Sequence, residues 1–178
     1  MNAPRILIAG IGNIFLGDDA FGVEVAQRML HEPPREGVRV VDFGIRGMDL
    51  TYALLEDYDA AIMVDAVPRG EAAGTLYLIA PDPGEMDAAT SEPSLPGEML
   101  VDAHSMDPMK VLRLVRAMGG GLGRILLVGC EPTPFDPETE LEITLSAPVR
   151  EAVPRAVDML HALIEKLQTE TDVMHNIF

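Results

Sequence analysis

The strongest constraint on this fold is an alternation of two apolar patterns. Short unbroken apolar runs, residues 6–9, 60–64 and 125–128, end in Gly10, Asp65 and Gly129. Runs of this kind suit strands buried on both faces, as in a parallel sheet covered by helices. Between them, apolar residues recur at helical intervals. Val23, Ala26 and Leu30, flanked by Val25 and Met29, predict a first helix over 20–30, stopped by Pro33-Pro34. A second strand is expected over 37–43. A short helix over 47–56 should bury Met48, Leu50, Leu54 and Leu55. Asp107-Pro108 opens a further helix, with Asp as N-cap and Pro at the first helical position; Val111, Leu114, Val115 and Met118 are its expected buried face.

A fourth strand, residues 74–80, follows the third too soon for a helical crossover and is expected to pair antiparallel at an edge. In the last helix Val149, Val153, Val157, Leu160, Ile164 and Leu167 recur at intervals of three and four. Pro154 interrupts this pattern and should kink or restart the helix. Residues 81–101, rich in proline and acid, read as an irregular loop, and 172–178 as a frayed tail. The pattern predicts an α/β fold: three α/β/α layers around a mostly parallel, roughly five-stranded twisted sheet. At 178 residues one domain is expected, with a core over about 5–167.

In open α/β sheets, ligands bind outside the carboxyl ends of the strands. Three groups are predicted to meet there. Asp19 lies in the loop after the first strand, Asp65 ends the third, and His104 precedes the Asp107-Pro108 helix. Two carboxylates and an imidazole make a donor set for zinc or nickel with positions left open. Each residue also has a plainer reading. Asp18 or Asp19 caps the first helix, Asp65 binds loop amides, and His104 is a polar loop residue.

Other sites are weaker. Gly10-Ile-Gly12 starts like a dinucleotide loop, but Phe15 stands where the third glycine is required. Cys130 reads as a packed cysteine rather than a nucleophile. His31 is expected against the C-terminal end of the first helix, and His161 beside Asp158 and Glu165.

Lys and Arg total 13 against 29 Asp and Glu, a net charge of -16. Such a surface repels nucleic acid and anionic membranes. With one cysteine and no apparent signal or membrane-spanning segment, a cytoplasmic protein is expected. The oligomeric state is left open.

Several motifs, in order, carry a resemblance. They are Ile6-Leu-Ile-Ala-Gly-Ile-Gly-Asn-Ile-Phe-Leu-Gly-Asp-Asp-Ala-Phe-Gly22, Asp42-Phe-Gly-Ile-Arg-Gly47, Ile62-Met-Val-Asp-Ala-Val67 and Asp102-Ala-His-Ser-Met106. Leu127-Val-Gly-Cys-Glu-Pro132 and Leu145-Ser-Ala-Pro-Val149 close the series. Together they resemble the hydrogenase maturation endopeptidases over residues 5–167. Asp19 stands where many relatives carry Glu, and Ala20 where glycine is frequent.

The resemblance implies an endopeptidase that removes a C-terminal extension from the nickel-loaded precursor of a nickel-iron hydrogenase large subunit. It further implies that Asp19, Asp65 and His104 engage nickel supplied by that precursor, with a resident zinc as the alternative. Asp42 is a candidate for positioning water. The competing reading is a non-catalytic nickel-dependent checkpoint or chaperone on the same scaffold.

Overall fold

A computed structural model describes residues 3–81, 107–121, 123–134 and 143–175. The chain order is β1 (Ile6–Ile11), a 3-10 turn (Gly17–Ala20), α1 (Phe21–Leu30), β2 (Val38–Gly44), α2 (Gly47–Leu54), β3 (Ala60–Ala66) and β4 (Leu76–Ile79). Then come α3 (Pro108–Ala117), β5 (Arg124–Cys130) and α4 (Ala147–His175).

The five strands form one sheet in the order β2-β1-β3-β5-β4. β1 runs parallel to β2 and β3, and β3 parallel to β5. Among the described strands only β4 is antiparallel, at the edge beside β5, as its short approach loop predicts.

Alternation along the strands divides the core into two layers. Ile6, Ile8, Ile62, Val64, Leu126 and Val128 face one side, where Phe21, Val25 and Met29 of α1 and the Val149–Leu167 stripe of α4 cover them. Leu7, Ala9, Ile11, Ala61, Met63 and Leu127 face the other, against Leu50 and Leu54 of α2 and Val111, Leu112 and Val115 of α3. Truncating one of the Leu, Ile or Met side chains to alanine costs about 2–5 kcal/mol.

Four sequence expectations are corrected. The first helix starts at Phe21, because residues 17–20 form a tighter 3-10 turn, and of its expected buried face Leu30, the last residue, is exposed. Met118 is exposed and Leu112 takes its place in the core, since α3 ends at Ala117 and Met118 lies beyond its buried face. In α2 the buried apolar side chains include Leu50 and Leu54, whereas Met48 and Leu55 are only half-buried.

Lastly, the helix does not restart at Pro154: α4 is one element to His175, covering residues 172–175 of the expected tail. Pro154 and Arg150, the residue whose carbonyl loses its partner, are both exposed, so water can satisfy that carbonyl. Val153 and Val157, meanwhile, keep the helix seated on the sheet. Residues 82–106, which hold most of the expected irregular loop, and 176–178 lie outside the described residues.

Candidate active site

The carboxyl edge of β1 and β3 is built by close backbone approach. The backbone N–H of Gly12 donates to the Gly44 carbonyl at 3.0 Å, joining the loop that follows β1 to the last residue of β2. Gly12 has φ +141°, and a Cβ there would lie 1.8 Å from the Asp19 carbonyl oxygen. Gly22 brings α1 just as close, because a Cβ there would lie 2.0 Å from the Val64 carbonyl oxygen of β3. Glycine at both positions lets the Asp18-Asp19 turn settle onto the end of β3.

The two adjacent acids in that turn do different work. Asp18 accepts hydrogen bonds from the Thr133 N–H at 2.8 Å, the Ser146 N–H at 2.7 Å and the Ser146 hydroxyl at 2.9 Å. Burial pushes its pKa up, but these bonds outweigh burial and hold it below the ordinary carboxylate value. Neither acid caps a helix, since the 3-10 turn and α1 have no side-chain cap bond. Asp18 instead ties the turn to the chain on either side of residues 135–142. Asp19 Oδ2 accepts from the Asn13 N–H at 2.8 Å, which orients its carboxylate.

Asp65 ends β3 and is only 7% exposed. Its one hydrogen bond among the described residues is from the adjacent Ala66 N–H, at 2.9 Å. Burial raises its pKa from 3.8 to about 8; the charges of Asp19 and Asp107 add to the rise, and the Ala66 bond opposes it. A buried acid that has, among the described residues, one donor and two acidic neighbours is stabilised either by a proton or by a cation.

Thus Asp19 and Asp65 are brought together, as the topology predicts. His104 lies outside the described residues. Among the described residues, no three His, Cys, Asp or Glu side chains form a group able to hold a metal. Asp42 lies at the end of β2, on the far side of β1, and accepts from Gln27 Nε2 at 2.8 Å.

Two contributors were not legible in the sequence. Asp107 caps α3 as predicted, its carboxylate accepting from the Met109 N–H at 2.9 Å, but it also bears on Asp65. Asn13 was legible only as part of a glycine turn. The remaining candidates have structural partners. Cys130 is buried, and burial raises its thiol to about 11, which is unsuited to a thiolate nucleophile. His31 Nδ1 meets the Gln27 carbonyl at 2.7 Å, at the end of α1 as expected. His161 Nε2 meets Glu32 at 2.8 Å, because α4 packs against α1.

Comparison with known proteins decides what this edge belongs to. The family model described as HycI, hydrogenase maturation protease, matches residues 23–163. The chain belongs to the hydrogenase maturation protease family.

Among relatives of this family member is the hydrogenase expression/formation protein HupD of Rhizobium leguminosarum bv. viciae. It is 30% identical over 158 residues, which are 88% of this chain and 72% of its own. HoxM of Azotobacter vinelandii is 34% identical over 134 residues, 74% of this chain and 60% of its own. Among solved structures, the hydrogenase maturating endopeptidase HybD from E. coli superposes with a TM-score of 0.69 at 27% identity. That match covers 91% of this chain and 93% of HybD. The protease therefore shares its α/β architecture with this group, and none of its described helices is long and apolar enough to cross a membrane.

Proposed function

We propose that this protease removes a C-terminal extension from the nickel-loaded precursor of a nickel-iron hydrogenase large subunit. Asp19, Asp65 and His104 engage the nickel that the precursor carries. The observation that carries this reading is Asp65, buried beside Asp19 with one backbone donor among the described residues, which is an environment that a divalent cation would stabilise. Family membership and the names of the relatives support the substrate class.

Nickel held jointly by precursor and protease brings the scissile region to the carboxyl edge of the sheet and makes cleavage conditional on metal loading. Asp19, fixed through Asn13, presents its carboxylate from the turn, while Asp65 presents its own from the strand end. Water adds to the scissile carbonyl, the carbon–nitrogen bond breaks, and a proton passes to the departing amine. The buried, high-pKa thiol of Cys130 favours water over an acyl-enzyme. Asp42, held by Gln27, is the candidate for positioning water.

The test is to mix the protein with purified large-subunit precursor, with and without nickel loaded, and to measure the precursor's mass. A nickel-dependent loss of one C-terminal peptide, abolished in His104→Ala and Asp65→Ala, is expected. Nickel-dependent association without a shorter product would overturn this reading in favour of a binding checkpoint. Processing at the normal rate by either variant would overturn the metal assignment.

A further inference from the structure

Beside Asp19 the surface changes character. Ile14, Phe15 and Leu16 are three successive large apolar residues, exposed by 49%, 69% and 48%. Other exposed large apolar side chains among the described residues, such as Leu30, Tyr52, Leu78 and Met118, occur singly in the sequence. Single exposed apolar residues are ordinary, whereas a run of three needs a reason.

The run is held open by its own backbone. The Phe15 N–H donates to the Asn13 side-chain oxygen at 3.0 Å and the Leu16 N–H to the Asn13 carbonyl at 3.1 Å. The Asp19 N–H in turn donates to the Leu16 carbonyl at 3.1 Å. The same Asn13 holds Asp19 through its N–H. The apolar run and the acid are therefore presented by one hydrogen-bonded turn. Across the Gly12–Gly44 bond, Ile45 is 53% exposed on the neighbouring loop.

Charge narrows the occupant. Residues 13–17 carry no charge, but Asp18, Asp19, Asp42 and Asp65 lie on the same edge of a chain of net charge -16. Arg46, the nearby cation, is already paired with Asp49 at 3.7 Å. A second copy of this chain docked here would bring acidic edges together. An apolar segment flanked by basic residues would be matched in both respects.

We infer that the Ile14–Phe15–Leu16 turn, with Ile45, is the docking surface for an apolar, basic-flanked segment of the precursor polypeptide next to its metal-bearing part. This rests on the proposed function. The turn binds the segment and Asp19 meets the metal from the same rigid unit, so docking and metal engagement are set in one register.

The test uses full-length protein and the nickel-loaded precursor, measuring KM, kcat and the dissociation constant at low and high salt. Phe15→Ser and Leu16→Ser should each raise KM and Kd at least tenfold, with any fall in kcat smaller than that rise. Phe15→Leu should restore most of the binding, and Leu30→Ser, on a single exposed residue at the far end of α1, should leave it unaltered. Binding should weaken as salt rises. Thermal melts of the serine variants matching the parent exclude a folding defect.

Wild-type processing with unaltered KM and Kd in both serine variants would overturn the docking surface while leaving the proposed function standing. Wild-type protein that neither binds nor cuts the precursor would overturn the proposed function itself. Sedimentation showing a wild-type dimer that Phe15→Ser converts to monomer would assign the surface to self-association instead.

Discussion

Two buried acids end neighbouring strands of the same sheet, and their surroundings drive them in opposite directions. Glu131, immediately after β5, is 4% exposed; Asp65, at the end of β3, is 7% exposed. Glu131 accepts from the Arg69 N–H at 2.8 Å, the Gly70 N–H at 3.0 Å and the Tyr77 hydroxyl. The Tyr77 bond and the loop amides outweigh burial and hold its pKa below the ordinary value. Among the described residues Asp65 has one N–H and two acidic neighbours, and its pKa rises to about 8.

Burial alone therefore does not set the charge state of a carboxylate; the supply of donors does. Glu131 is saturated and pins the loop between β3 and β4. Asp65 is left wanting positive charge at the edge where a ligand would arrive.

The sharpest way to break this contrast is Asp65→Asn. Removing the charge should cut precursor processing on the order of a hundredfold or more, by loss of a metal contact. It should also stabilise the fold by on the order of 1–3 kcal/mol near pH 8, because a buried acid among acids is replaced by a neutral amide. Precursor mass and urea titration measure the two effects. A variant that loses stability as well as activity would show Asp65 to be structural.

Glu131→Gln should do the reverse. The melting temperature falls because the amide serves the Arg69, Gly70 and Tyr77 donors poorly, while the folded protein still processes precursor at a rate close to the parent's. A large fall in kcat at full folding would erase the contrast between the two acids.

Asp18→Asn should cost about 1–3 kcal/mol, since the Thr133 and Ser146 donors lose a charged acceptor. Its activity loss should follow the displacement of Asp19 and be smaller than that of Asp65→Asn. Chemical denaturation and progress curves test this order.

The contrast also has a signature in pH dependence. Asp65 keeps its proton in the folded state up to about pH 8, whereas the unfolded chain releases it near 3.8. Its favourable contribution is complete below 3.8 and is lost as pH rises through about 8. Asp18 and Glu131 are lowered, so theirs is present above 3.8 and 4.5 respectively, and is lost as pH falls through their folded values. Urea midpoints of the parent should therefore decline from pH 5 to 8 relative to Asp65→Asn, and the two curves should run parallel below pH 3.8.

Much of the fold was legible because periodicity is local. The apolar runs announced β1, β3 and β5, and the Asp107-Pro108 pair announced the start of α3, cap included. The short approach to β4 announced its antiparallel edge position. Asp19 and Asp65 were legible as a pair because parallel strands gather their carboxyl ends. The 3-10 turn before α1 was not legible, because the close contact between Gly12 and the Asp19 carbonyl that shapes it spans the loop. Nor was the continuity of α4, which depends on a face packed against distant strands.

What the sequence determined by itself is the list of elements, their layering and the edge on which the acids gather, since each follows from local spacing. Tertiary structure alone decided which acid is which. Asp18 meets donors 115 and 128 residues away, and Glu131 meets amides 62 and 61 residues away. Among the described residues, Asp65 meets only its neighbour's N–H and the charges of Asp19 and Asp107. In sequence the three are simply carboxylates at the ends of short runs. Hydrogen-bond supply and local charge are sums over the folded neighbourhood, and no window of sequence contains them.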